Sequence, residues 1–584
     1  MTTPTLLQRF AAQVAARPEA VALRHTGTTL TYRELDEWSG RLAAQLAAKG
    51  TRPGSLVALA AQRGPAAVAG VLAVLKTGAA YLGLDPAIPV RRQRRMVEET
   101  GPQAVLAEPG LDQFPTLDAP RVRLAPVAEG PVHEGPEQEP DDDALFHIVY
   151  TSGTTGNPKG VRISRRSVRG RLEWMWEDHP FPENAVLAVQ KSPALVASPW
   201  ELLGGLLQGV PSVVLSTEEL LDPVLFAAVV AEERITHLFL TPQLIGGLLE
   251  ESSKLSGSHR PVLVTSGADS LPVRTVHRFR EVWPDATLLN LYGMTETASN
   301  VAAYDTAALP EDAERVPVGV PVAGASISVR DRHGRRLPPG VMGEVWVCGP
   351  PLALGYLGGD GEDRFTVDDQ EVRHYRTGDR GRHLPDGALE ITGRADNQIK
   401  VRGYRVELEE IESTLRKAPG VTDAGAYADL DDGEPRIVAC VTAEEEVSVT
   451  ALRGYLRDRL PDYMLPTRVQ KVPRLPLGPN GKLQRTGLRA LVADIGQERT
   501  AGFTPSDATE AAVAALWEEL LGAPPADVDQ NFFDAGGHSL LAVRLANRLA
   551  KTAGRRIPLR RILGAPTVGA IAALCHEAQK EERG

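Results

Sequence analysis

From Tyr150 to Val161 the chain reads Tyr-Thr-Ser-Gly-Thr-Thr-Gly-Asn-Pro-Lys-Gly-Val, gathering three glycines, four hydroxyl residues and a lysine into one short segment. This is the chemistry of a phosphate cradle. Gly153 and Gly156 allow backbone N–H groups to approach phosphate oxygens closely. Thr151, Ser152, Thr154 and Thr155 add hydroxyl donors, and Lys159 adds a point charge. The spacing is not that of the common phosphate loop, which ends in Gly-Lys followed by Ser or Thr. A glycine-rich surface turn has a similar composition, so the segment alone leaves both readings open.

The elements that must hold this loop can be read around it. Short apolar runs at 56–60, 146–150, 212–215 and 261–265 alternate with helical patterns, which predicts α/β layers with parallel pairing. The acidic, proline-rich stretch 129–143 reads as a surface loop. Leu6, Phe10 and Val14 have helical spacing, without the basic start and apolar stretch of a signal peptide. No run reaches the length of a membrane span. At 584 residues the chain exceeds a single hydrophobic core. Its net charge of −11 argues against nucleic-acid binding. Three scattered cysteines fit neither a metal site nor a disulfide framework, and suit a reducing cytosol. The pattern shifts near Asp396. Residues 398–485 read as a small α+β subdomain and 497–507 as a polar linker. A helical tail follows, with Val513, Leu516, Trp517, Leu520 and Leu521 on one face, Gly522 as a stop, and Leu541, Leu545 and Leu549 on a second helix starting near Ser539. No internal repeat is found.

Several further segments occur in a fixed order: Leu75-Lys-Thr-Gly-Ala-Ala-Tyr81, the glycine-rich loop, Tyr292-Gly-Met-Thr-Glu296, Gly343-Glu-Val-Trp346, Tyr375-Arg-Thr-Gly-Asp379, Gly393-Arg-Ala-Asp-Asn-Gln398 and Pro479-Asn-Gly-Lys-Leu483. Together they resemble the motif series of the adenylate-forming superfamily, which includes acyl-CoA synthetases, luciferases and peptide-synthetase adenylation domains. Asn531-Phe-Phe-Asp-Ala-Gly-Gly-His-Ser-Leu540 resembles the attachment sequence of peptidyl carrier proteins. The joint resemblance is to a nonribosomal peptide synthetase module. It implies a large α/β adenylation core (1–395), a small mobile α+β subdomain (396–490), a linker (491–506) and an all-α four-helix carrier (507–580).

The resemblance also implies roles. Thr151 to Gly156, Lys159, Asn290, Tyr292, Gly293, Asp379 and Arg394 bind ATP. Asp379 takes the ribose hydroxyls, Tyr292 lies along the adenine, and Asn290 meets the base edge. Glu296 holds Mg2+, a hard cation suited to carboxylate oxygen. Thr295 approaches the phosphate. Lys482 bridges the substrate carboxylate and the α-phosphate, where charge accumulates. Asp396 is the hinge between an ATP-reacting and a thiol-reacting state. Ser539, otherwise a plausible helix cap, carries 4′-phosphopantetheine, whose thiol receives the acyl group. The implied partners are a carboxylic acid, a phosphopantetheinyl transferase and a downstream condensation or tailoring enzyme; the need for an MbtH-like protein is left open. The implied compartment is the cytoplasm.

The acid pocket departs from the family pattern. Adenylation domains for α-amino acids carry an aspartate shortly before Ser-x-Trp-Glu, where it pairs with the substrate's ammonium. Here Lys191-Ser-Pro-Ala-Leu-Val-Ala-Ser-Pro-Trp-Glu201 offers Val196 or Ala197 instead. An ammonium buried against valine would be unpaired, at a cost of several kcal/mol. The remaining positions implied by resemblance are Trp200, Phe239, Val264, Ser266, Leu291, Ser299 and Asn300, mostly apolar or neutral. The set suits an aryl, α-keto, α-hydroxy, short acyl or β-amino acid. Alternatives are ordinary α-amino acid activation in an atypical pocket, a carrier scaffold with a decayed adenylation site, and transfer to coenzyme A.

Overall fold

A computed structural model describes the chain except residues 1–2, 112–118, 134, 137–139, 154–156, 253–258, 360, 402, 430–435, 445, 477–482, 495–502, 523, 534, 536, 538–540, 543, 547, 550–556, 558 and 584. Two compact units emerge: Met1–Gly153 with Asn157–Arg405, and a second containing Val406–Gly584. The division falls after Arg405, so Asp396 lies within the first unit.

The first unit contains the α/β layers. Leu56–Ala60, Ala80–Leu84 and Ala104–Ala107 pair in parallel within a seven-stranded sheet. Strands covered on both faces need near-continuous apolar sequence, and Ala80–Leu84 is buried at every position. The crossover helix Pro65–Lys76 is buried along most of its length for the same reason. A nine-stranded sheet runs in the order Val320–Pro321, Ser299–Asp305, Thr287–Met294, Leu263–Ser266, His237–Leu240, Leu187–Val189, Ser212–Val214, Val21–His25, Thr28–Thr31. The four apolar runs expected as strands lie wholly or mostly in Leu56–Ala60, Leu145–Thr151, Ser212–Val214 and Leu263–Ser266.

Parallel pairing does not extend throughout. Leu145–Thr151 pairs antiparallel with Lys159–Ser164, and Thr287–Met294 pairs antiparallel with Ser299–Asp305. Each connection is too short for a crossover, so the chain must return as a hairpin. These two turns carry the glycine-rich segment and Glu296. A further sheet pairs Arg373–His383 with Gly343–Cys348, Phe365–Val367 and Leu389–Arg394, all antiparallel.

In the second unit, Val421–Asp429, Arg436–Ala443 and Arg468–Lys471 form a three-stranded sheet, accompanied by helices Leu408–Arg416 and Val449–Arg457. Helix Arg485–Asp494 carries regular structure into the segment expected to be linker. Its Leu488 and Val492 are buried with Tyr427, Cys440 and Leu475, which explains the extension. Farther on, helix Ala508–Leu521 starts at an Asp507 cap and ends at left-handed Gly522, the expected stop. Trp517 is fully buried edge-on to Phe532, 5.1 Å between ring centroids. Leu545 and Leu549 are buried on a further helical segment, and helices Leu559–Gly564 and Val568–Arg583 complete the described part of the carrier. Among the described residues no helix is long and apolar enough to cross a membrane.

Candidate functional site

The glycine-rich loop closes the hairpin whose last paired residues are Thr151 and Lys159. A Cβ on Gly153 would lie 2.0 Å from the carbonyl oxygen of Asn157, so only glycine permits this turn. Ser152 is buried and its Oγ donates to the carbonyl of Arg405 at 2.8 Å. The Lys159 ammonium stands 5.6 Å from the centre of the Tyr356 ring. Thr154, Thr155 and Gly156 lie outside the described residues, as do Lys482 and Ser539.

Glu296 sits in the second hairpin turn, Thr295–Thr297, and is 1% exposed. Nη1 of Arg405 donates to both its oxygens, at 2.8 and 3.0 Å, and the Tyr356 hydroxyl donates to Oε1 at 2.7 Å. Burial pushes this carboxyl up, but Arg405 and the Tyr356 hydroxyl outweigh it and hold the group below its usual range. An ionised oxygen donor suits Mg2+, so the residue type fits the metal. In this arrangement, however, both oxygens are engaged by a guanidinium. Asn290 and Tyr292 lie on the incoming strand; Asn290 Nδ2 donates to the Pro317 carbonyl at 2.8 Å. Gly293 lies at a bulge in the pairing with the outgoing strand, and Thr295 is half-buried.

Asp379 and Arg394 face each other in register on adjacent antiparallel strands. Their side chains form a buried ion pair, and the Tyr292 hydroxyl donates to the other Asp379 oxygen at 2.6 Å. Arg394 also donates to Asp396 at 2.7 and 2.8 Å, and Arg364 donates to the same aspartate at 3.1 Å. Burial pushes Asp396 up, but the two guanidiniums bring it down to about 2. Gly378, at φ +76°, allows this crowding: a Cβ there would stand 3.0 Å from both Arg394 Nη2 and Asp396 Oδ2.

The acid pocket positions divide. Trp200, Phe239 and Leu291 pack in one buried cluster with half-buried Val196 and Ala197 at its edge. Val264 packs instead with Leu238, Leu240 and Leu288. Parallel register explains the separation: Phe239 is opposite Thr265, so Val264 falls on the other face of the sheet. Ser266 is fully buried two residues beyond Val264. Ser299, at φ +103°, donates through Oγ to Asn300 Oδ1 at 3.0 Å. Lys191 and Glu201, which frame Val196, are partners: Nζ donates to Oε1 at 2.5 Å, while Oε2 accepts the backbone N–H groups of Gln190 and Lys191 at 2.7 and 2.8 Å. That buried pair fixes the ends of the segment that presents Val196, Ala197 and Trp200.

Sequence reasoning missed Arg405, Tyr356, Arg364 and Arg171. Arg171, on helix Arg165–Asp178, is 8% exposed and stands 5.8 Å from the centre of the Phe239 ring. Among the described residues none of its three guanidinium nitrogens has a hydrogen-bond partner. With Arg166, Arg169, Glu173, Glu177 and Asn300 it lines a cavity of about 310 Å³ that does not include Phe239 or Val196. Burial, only partly offset by Glu201, pulls its pKa down to about 9, so it remains charged at neutral pH. Helical spacing from Val168 and Leu172 could have placed Arg171 near the core; no signal pointed to the other three.

Residues 10–357 match the AMP-binding enzyme family, 410–482 its C-terminal domain, and 511–575 the phosphopantetheine attachment site. One plipastatin synthase of Bacillus subtilis (strain 168) is 37% identical over 98% of this chain, which spans 22% of that protein's length. The solved structure of holo-PA1221, a nonribosomal peptide synthetase protein with adenylation and carrier domains bound to a vinylsulfonamide inhibitor, superposes with a TM-score of 0.82 at 26% identity, covering 100% of this chain and 98% of that one. A four-domain nonribosomal peptide synthetase solved with AMP and glycine bound gives 0.60 at 29% identity over 98% and 43% of the two chains. The chain belongs to the AMP-binding enzymes, as an adenylate-forming ligase of the nonribosomal peptide synthetase type joined to a phosphopantetheine carrier.

Proposed function

We propose that this chain condenses the carboxylate of an acid lacking an α-ammonium with the α-phosphate of ATP, releasing pyrophosphate, and passes the acyl group to the phosphopantetheine thiol on its own Ser539. Asp379 orients the ribose, with Tyr292 and Arg394 positioning it. Lys482 neutralises the approaching anions, and Glu296 holds Mg2+, which supplies charge neutralisation at the phosphates when bound. Asp396 serves as the hinge. A phosphopantetheinyl transferase in the cytoplasm primes the carrier, and a condensation or tailoring enzyme takes the product.

The observation that carries the substrate reading is the pairing of two features. No carboxylate stands at Val196 or Ala197, and the guanidinium of Arg171, without a hydrogen-bond partner among the described residues, lies against the Phe239 ring. Lys191 and Arg171 together outnumber the single carboxylate of Glu201. An ammonium is a cation and a donor only. It would meet repulsion there and would leave the Arg171 donors unsatisfied. A keto or hydroxy oxygen is an acceptor and can take one of them, so α-keto and α-hydroxy acids fit best. The glycine bound by the similar four-domain synthetase favours the competing reading of an ordinary α-amino acid.

The test is ATP–pyrophosphate exchange over amino, hydroxy, keto, aryl and β-amino acids, followed by intact mass of the primed protein. Keto or hydroxy acids should give the highest exchange, and the acyl mass should appear on the wild type but not on Ser539→Ala. Preference for a standard α-amino acid would defeat the substrate reading while leaving the reaction class intact.

A further inference from the structure

Arg405 touches two parts of the nucleotide site at once. Its side chain engages both oxygens of Glu296, and its carbonyl accepts the hydroxyl of Ser152 in the glycine-rich loop. The residue after it, Val406, opens the second unit. Glu296 is nearly inaccessible, with its third hydrogen bond coming from Tyr356. Among the described residues no group of three or more His, Cys, Asp or Glu side chains could hold a metal. A dication at Glu296 would therefore depend on this one carboxylate together with phosphate oxygens and water, as Mg2+ commonly does. Two cations cannot share the same two buried oxygens without strong repulsion, since screening is weak there.

We propose that Arg405 occupies both oxygens of Glu296 until Mg2+ replaces it, so that metal loading and the Arg405–Glu296 pair are mutually exclusive. This rests on the reading of Glu296 as the magnesium carboxylate. Arg405 is a positioning residue. It holds the carboxylate in place, and it must withdraw for the metal-dependent half-reaction. Withdrawal of the main chain also releases the Ser152 hydroxyl toward phosphate.

The experiment titrates Mn2+ with the full chain and α,β-methylene-ATP, counting free Mn2+ by electron paramagnetic resonance, so that no turnover is involved. Arg405→Ala and Arg405→Gln should bind the metal nucleotide more tightly than wild type, on the order of tenfold, the size of a typical coupling between sites. Arg405→Lys, which keeps the charge, should stay close to wild type. Arg405→Gln preserves a hydrogen-bonding head, and it decides the matter if the alanine variant does not fold. Unchanged or weaker binding in the folded neutral variants overturns the proposal. Glu296→Gln separates the two readings. If it binds Mn2+ as wild type does, Glu296 is not the metal carboxylate and both fail. If it binds weakly while the Arg405 variants match wild type, only the role of Arg405 fails.

Discussion

The candidate nucleotide end and the candidate acid pocket of the first unit treat charge in opposite ways. At the nucleotide end, Glu296, Asp379 and Asp396 each meet a guanidinium, and Tyr292 and Tyr356 add hydroxyl donors. Every carboxylate there already has a partner that a ligand must displace or share. Around Phe239 the pairing is incomplete: Lys191 has Glu201, but Arg171 has no hydrogen-bond partner among the described residues. The first arrangement fixes the orientation of each carboxylate through a guanidinium. The second leaves a guanidinium against the Phe239 ring, its charge only partly offset by Glu201. Buried pairs of the first kind contribute geometry more than stability. An unpartnered buried cation costs stability and is more readily understood as part of a site.

This contrast breaks first at Lys482. Lys482→Ala should lower the rate of pyrophosphate exchange by about 10²–10³-fold, as loss of one charge-stabilising contact does, with the melting temperature unchanged; near-normal exchange in the folded variant removes Lys482 from the chemistry. Asp379→Ala should follow. Truncating one member of a buried charged pair costs about 2–5 kcal/mol, so kcat/KM for ATP should fall at least about 30-fold while acid preference stays constant. A change in acid preference instead would mean that the two ends are not independent.

At the acid pocket the effects should be smaller and should change the order of substrates. Val196→Asp should weaken exchange with the preferred acid by about 1–3 kcal/mol, because the new carboxylate faces an apolar group. A partial gain with α-amino acids is expected, read from the same panel of acids. The smallest effect on activity is predicted for Arg171→Met, which should act mainly on stability. Replacing an unpaired buried charge with an apolar side chain of similar length should stabilise the protein by about 1–3 kcal/mol, visible as a higher melting temperature, and should reduce the preference for keto over simple acyl acids. A lower melting temperature would show that Arg171 has a stabilising partner in solution and would weaken the contrast at its source.

Much of the nucleotide end was legible because its residues lie in short contiguous motifs. Thr151 to Lys159, Tyr292 to Glu296, and Asp379 with Arg394 could each be read locally, and the structure brings the last pair into register across one hairpin. The α/β class and the helical tail followed from apolar periodicity, which is a property of the sequence alone. What the sequence did not contain was the identity of partners distant along the chain. Arg405 lies 109 residues from the carboxylate it binds, and nothing local marks it. The separation of Val264 from Phe239 depends on which residues face each other across two parallel strands, and a single step of register reverses the face. The absence of a carboxylate at Val196 was visible from residue types. That Arg171 stands against Phe239 without a hydrogen-bond partner among the described residues was decided only by packing, because a charge loses its partners through what the fold removes from its surroundings.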